Sequence, residues 1–156
     1  MDSFRSDGAL AEADFELGIS TAGSIATMLC ERGSPVGLFI NTCLADTGQP
    51  AVIAPGAGRG RVTEVLEALA KVTGRSSGPA AAFLESQKGR LNAGTTLIFI
   101  IGRLPERFPE QLADLRAAGF RLLVLLVGGQ GEPNLPPDVR WRRIQNVGDL
   151  AGGPPA

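Results

Sequence analysis

Three short, uninterrupted apolar runs constrain this chain most: residues 36–40 (Val-Gly-Leu-Phe-Ile), 97–101 (Leu-Ile-Phe-Ile-Ile) and 122–127 (Leu-Leu-Val-Leu-Leu-Val). Each is apolar on both alternating faces, so as a strand it calls for cover on both sides, the signature of parallel sheets packed between helices. Segments of helical spacing lie between the runs, which suits right-handed crossover connections. The expected fold is α/β: a three-layer, mostly parallel open sheet flanked by helices, Rossmann-like in kind. None of the runs approaches the twenty or so residues that span a bilayer.

Ahead of the first run, Phe15, Ile19, Ala22, Ala26 and Leu29 recur at spacings of four, three, four and three, with Ile25 alongside. That is one face of a helix, with Asp14 placed to cap its start and Gly33 to end it. Residues 51–54, after a loop with Asp46, Gly48 and Pro50, read as the return arm of a hairpin. A second helix is expected from Arg61 to about Thr73, with Val62, Val65, Leu66, Leu69 and Val72 inward. A third runs from Pro79 to about Leu91 and a fourth from Pro105 to Ala118; residues 139–144 make a weaker, edge-like strand. Residues 1–13 read as a polar tail, 14–150 as a single domain and 151–156 as an unstructured end.

The pattern opens on a helix, whereas doubly wound folds open on a strand that lies mid-sheet. Nothing in residues 1–14 resembles that strand, and the first central strand is expected to be missing. The chain therefore reads as an N-terminally shortened version of a larger protein. Strands 36–40 and 97–101 must then pair directly or leave backbone groups open, at about 1–3 kcal/mol per buried unpaired group, and homodimerisation, swapping or marginal stability follows.

Composition narrows function by exclusion. With 156 residues and 44% apolar side chains the chain can bury a core, and 16 acidic against 15 basic residues argue against nucleic acid. The chain has 0 His and 0 Tyr, which removes imidazole bases, His-ligated metals and Ser-His-Asp or Cys-His catalysis. Cys30 and Cys43 fit neither a redox pair nor a zinc knuckle and read as small hydrophobes. With a polar start unlike a signal peptide, the expected location is cytoplasmic.

Two motifs stand out. Gly56-Ala57-Gly58-Arg59-Gly60, followed by Arg61, opens a helix, and helix N-termini attract anions. Its G-x-G-x-G pattern is neither the dinucleotide fingerprint nor a P-loop, so it reads first as a helix-entry turn and second as a nucleotide or phosphate site. Arg140, Arg142 and Arg143 surround Trp141, either as a charge-protected edge strand or as a surface for an acidic partner. Ser76-Ser77 has no base near it in sequence, and Lys71 and Lys88 read as solvated.

The segment from Asp14 through Phe15, Glu16, Ile19, Ser20, Ala22, Ser24 and Ala26 resembles the first helix of domain-of-unknown-function family 58, bacterial proteins with a von Willebrand factor A-like domain. Val36-Gly37-Leu38, Pro55-Gly56-Ala57-Gly58 ahead of Leu66 and Leu69, Gly94 to Ile100, and Leu115 to Leu126 are similar to its later motifs, in order. The resemblance implies a von Willebrand A sheet and a non-enzymatic interaction or assembly-adaptor role, with a MoxR-type AAA+ ATPase as partner. It implies longer, membrane-anchored relatives at the cytoplasmic face of the inner membrane. The metal positions of such domains would fall here on Asp2, Phe4, Ser6, Gly102 and Arg103, with one carboxylate among them, so neither a metal nor another cofactor is expected. Arg103, with Arg140, Trp141 and Arg142, is then the expected contact for a partner protein.

Overall fold

The structure, a computed structural model, describes residues 9–151. Its first element is α1 (Ala9–Glu31), followed by β1 (Val36–Leu44), β2 (Pro50–Gly56), α2 (Arg59–Ala70) and β3 (Val72–Ser76). Then come α3 (Ala80–Gln87), a 3-10 turn at Lys88–Arg90, β4 (Thr96–Ile101), α4 (Phe108–Ala117), β5 (Arg121–Val127), β6 (Arg140–Ile144) and a second 3-10 turn at Val147–Leu150. The strands form two three-stranded sheets, ordered β2-β1-β3 and β4-β5-β6. The first is antiparallel throughout and the second parallel throughout.

The α/β class holds, but a mostly parallel sheet does not. The chain turns back directly from β1 into β2, so no crossover helix arrives to cover the far face of the pair. Ala51 and Ile53 of β2 are buried while Val52 and Ala54 are exposed, and Phe39, opposite Val52, is only half-buried. The run at 36–40, expected to be covered on both faces, therefore has helices over one. That face carries the first core cluster, in which Ala22 and Ala26 of α1 and Val65 and Leu69 of α2 pack on Val36, Ile40, Ala51 and Ile53.

The parallel sheet is covered more fully. Phe108 and Leu112 of α4 pack with Val124 and Leu126, and the Phe108 ring meets Phe99 edge-on at 5.2 Å. On the opposite face, Leu17 and Ile25 of α1 pack with Leu125, Val127 and Ile144. Each fully buried side chain of this size, such as Ile40, Leu112 or Ile144, contributes about 1.5–3 kcal/mol. α1 thus lies across both sheets, and Ile100 of β4 packs with the clusters on either side of it.

Several boundaries differ from expectation. α1 begins at least five residues before Asp14, because Ala9, Leu10, Ala11, Glu12 and Ala13 are strong helix formers, and Asp14 is interior rather than a cap. Residues 9–13 therefore belong to the domain, not to a tail; residues 1–8 and 152–156 lie outside the described residues. The C-terminus of α1 is as expected: Gly33 at φ 77 donates to the Cys30 carbonyl, and Ser34 to that of Leu29. α2 ends at Ala70, and Val72 and Thr73 enter β3 instead, since β-branched residues before Gly74 suit a strand better than a helix end. β3 meets only the far end of β1, pairing Thr42 with Ser76 and Leu44 with Val72.

β1 and β4 do not pair with each other. Among the described residues β4 has a ladder with β5 alone, and residues 36–40 of β1 have one with β2 alone. Direct pairing of the two strands, one of the two expected outcomes, is thus not what the described residues show.

Candidate functional site

In α/β sheets the crevice at the carboxyl ends of strands, where the chain's direction of travel across the sheet reverses, is the usual place for a site. Here β1 and β4 belong to separate sheets, and the carboxyl half of β1 and the carboxyl end of the parallel sheet are described in turn. Asn41, buried in β1, donates from Nδ2 to the Gly78 carbonyl at 3.1 Å, and its Oδ1 accepts from the Ser77 hydroxyl at 2.6 Å. The Ser77 N–H also donates to the Asn41 carbonyl. Ser77 is thus tied to an amide, which takes no proton, and the bond fastens the linker between β3 and α3. Thr21 of α1 and Thr42 of β1 carry buried hydroxyls with no hydrogen-bond partner among the described residues. Gly102 and exposed Arg103 follow β4.

At the carboxyl end of the parallel sheet, the loop after β5 carries Gly128, Gly129 and Gly131, all at positive φ. The Asp14 carboxylate lies against Gly128, in the space where a Cβ would stand. From β6, the Arg143 guanidinium donates to the Gly128 and Gly131 carbonyls, and Gln145 Nε2 donates to Gly129 O at 3.2 Å. β6 thus holds the loop by its carbonyls. This cluster escaped the sequence reading, although glycines directly after an apolar strand were a usable signal. Asp149 closes the adjoining 3-10 turn, and its carboxylate is held below the usual range by the backbone N–H groups of Gln145 and Asn146.

The expected anion site is elsewhere. Gly56 pairs with Val36, at the amino end of β1 and away from Asn41. Gly58 caps α2 with no side-chain hydrogen bond, Arg59 and Gly60 are exposed, and the Arg61 guanidinium folds back over Gly56 into an ion pair with Glu64 at 2.7 Å. A carboxylate of the same helix already occupies the charge an anion would use. Lys71 and Lys88 are likewise paired, with Asp46 at 3.0 Å and Glu85 at 2.9 Å. The first pair lowers the Asp46 pKa and raises that of Lys71 through their mutual hydrogen bond.

The expected partner surface is divided by register. Trp141 pairs with Val124 and packs half-buried into the cluster under α4. Arg140 and Arg142 pair with Leu123 and Leu125, which belong to the opposite, α1-facing side. Strand alternation thus sorts the indole from its two neighbours. Arg140 enters level with Ile98, while Arg103 lies past Ile101, two strands away, so these residues form no common patch.

Cys30 and Cys43 are free and half-buried. Among the described residues no three Cys, His, Asp or Glu groups gather around one point; Asp2, Phe4 and Ser6 lie outside them. A groove of 620 Å³ runs between α1 and α2, lined by Ile19, Gly23, Thr27, Leu69 and the exposed Met28 and Leu66. No helix among the described residues is long and apolar enough to cross a membrane. Comparison with protein-family models, with curated proteins and with solved structures returns no match.

Proposed function

We propose that this chain is a non-enzymatic protein-interaction or assembly-adaptor domain. The observation that carries the reading is the edge of β4. Among the described residues, Thr96-Leu97-Ile98-Phe99-Ile100-Ile101 has a ladder on one side only, and it contains no charge and no proline. Folded proteins blunt an open edge with charges, prolines or bulges, because an apolar unpaired strand recruits other chains. An edge left in this state is one kept for a partner. The exposed Met28 and Leu66 along the α1–α2 groove add apolar surface of the kind that interaction sites use.

The resemblance to domain-of-unknown-function family 58 suggests a MoxR-type AAA+ ATPase as that partner, a von Willebrand A-like arrangement for the fold, and action at the cytoplasmic face of the inner membrane. The rival reading, a nucleotide or phosphate site at Gly56, Gly58, Arg59, Gly60 and Arg61, gains nothing from the ion pair that engages Arg61. Mixing the chain with a MoxR-type ATPase and following co-elution by size-exclusion chromatography with light scattering tests the proposal. A stoichiometric complex, with no dose-dependent thermal shift from ATP, GTP or phosphate, is expected. A clear shift with any of these ligands and no complex would replace it with the rival reading.

A further inference from the structure

We propose that the open edge of β4 receives an extended, uncharged segment of a partner polypeptide, which joins β4 as an added strand. This rests on the interaction reading and specifies its mode. The Thr95 carbonyl accepts from Arg121 N–H at 3.1 Å, so the backbone of Thr95 faces β5. Strand alternation turns Leu97, Phe99 and Ile101 the same way and directs the N–H and C=O groups of Thr96, Ile98 and Ile100 away from β5. These groups have no backbone partner among the described residues. They offer a strand-length template for main-chain pairing, the basis of recognition by strand addition.

The surroundings select the occupant. Ile100 packs with both clusters under α1, so β4 is the strand of the parallel sheet that adjoins the first sheet. Under the same helix α1, residues 36–40 of β1 are, among the described residues, paired with β2 only, since β3 reaches no further than Thr42. Neither segment, 36–40 or 96–101, carries a charge, so a charged side chain entering beside them would be buried without a counter-ion, which is costly. The β4 of a second copy has its own β5 alongside and α1 and α4 over its faces, and is too encumbered to enter. A lone extended segment of Val, Ile and Thr character has both edges free and suits the apolar edge.

The probe is a peptide with a Thr/Val/Ile core of the length of β4 and Gly-Lys-Lys ends for solubility, titrated onto the full chain by fluorescence anisotropy. Its control is the same peptide N-methylated at alternate residues, which keeps the side chains and removes donors. Saturable binding is expected, weaker by about tenfold or more for the methylated peptide, with amide exchange at Ile98 and Ile100 slowed on binding. Ile98→Pro removes an N–H that faces away from β5, so it spares the β4–β5 ladder and abolishes binding, whereas Ile98→Ala keeps the N–H and retains it. The proposal is overturned by slow exchange at Ile98 and Ile100 in the free chain, by equal binding of the methylated peptide, or by a concentration-dependent dimer that Ile98→Pro dissolves. If the peptide fails while the ATPase still co-elutes, strand addition falls and the interaction reading stands; if both fail, both fall.

Discussion

Gly128 is held by two constraints at once. Its φ of 69 lies in the left-handed region, and the Asp14 carboxylate occupies the space a side chain would need. Gly128→Ala is expected to lower stability by about 2–4 kcal/mol, the sum of a left-handed penalty and a local clash. In an Asp14→Ala background the loss should shrink to about 1–2 kcal/mol, because only the backbone penalty remains. Urea midpoints of the four proteins measure the coupling, and equal losses in both backgrounds would show that the two residues do not meet. Asp14 itself was legible as a residue of the first helix but not in its role. Its spacing from Phe15 suggested a cap, and only the packing of α1 against the end of β5 reveals its neighbour.

At the scale of elements, the 3-10 turn at Val147–Leu150 depends on ionised Asp149. Its carboxylate accepts from Gln145 N–H at 2.7 Å and Asn146 N–H at 3.0 Å. These bonds depress its pKa below the ordinary 3.8, so the ionised form is favoured in the folded state. The turn's support is complete above 3.8 and is lost as pH falls through the lowered folded value. Amide exchange at Gln145 and Asn146, compared with that of the β5 core, should show early opening of the turn on acidification, and Asp149→Asn should remove that dependence on pH. Elements were otherwise readable where local periodicity governs, as in α1, α4, β4 and β5. β3 was hidden because five residues beginning Val-Thr-Gly carry little pattern of their own, and it is pairing with the end of β1 that makes them a strand.

Across the whole molecule, α1 and Ile100 tie the two sheets together. Leu69→Ala, in the first cluster, and Leu112→Ala, in the second, should each cost about 2–5 kcal/mol. Because α1 joins the first cluster to the opposite face of the parallel sheet whose other face holds Leu112, both substitutions should move one cooperative transition seen by circular dichroism and by Trp141 fluorescence alike. Two separated transitions would show that the sheets unfold independently. The sequence by itself determined the α/β class, the hairpin at residues 36–54, the order of the four helices and the absence of imidazole chemistry, since each of these is written in local composition and spacing. Tertiary structure alone decided that the strands divide into two sheets, that Arg61 is engaged by Glu64, and that Trp141 and its flanking arginines face opposite sides. It alone decided, too, that β4 keeps one edge open among the described residues. Those outcomes rest on pairing and register between residues far apart in the chain, where one residue of register exchanges one face of a strand for the other.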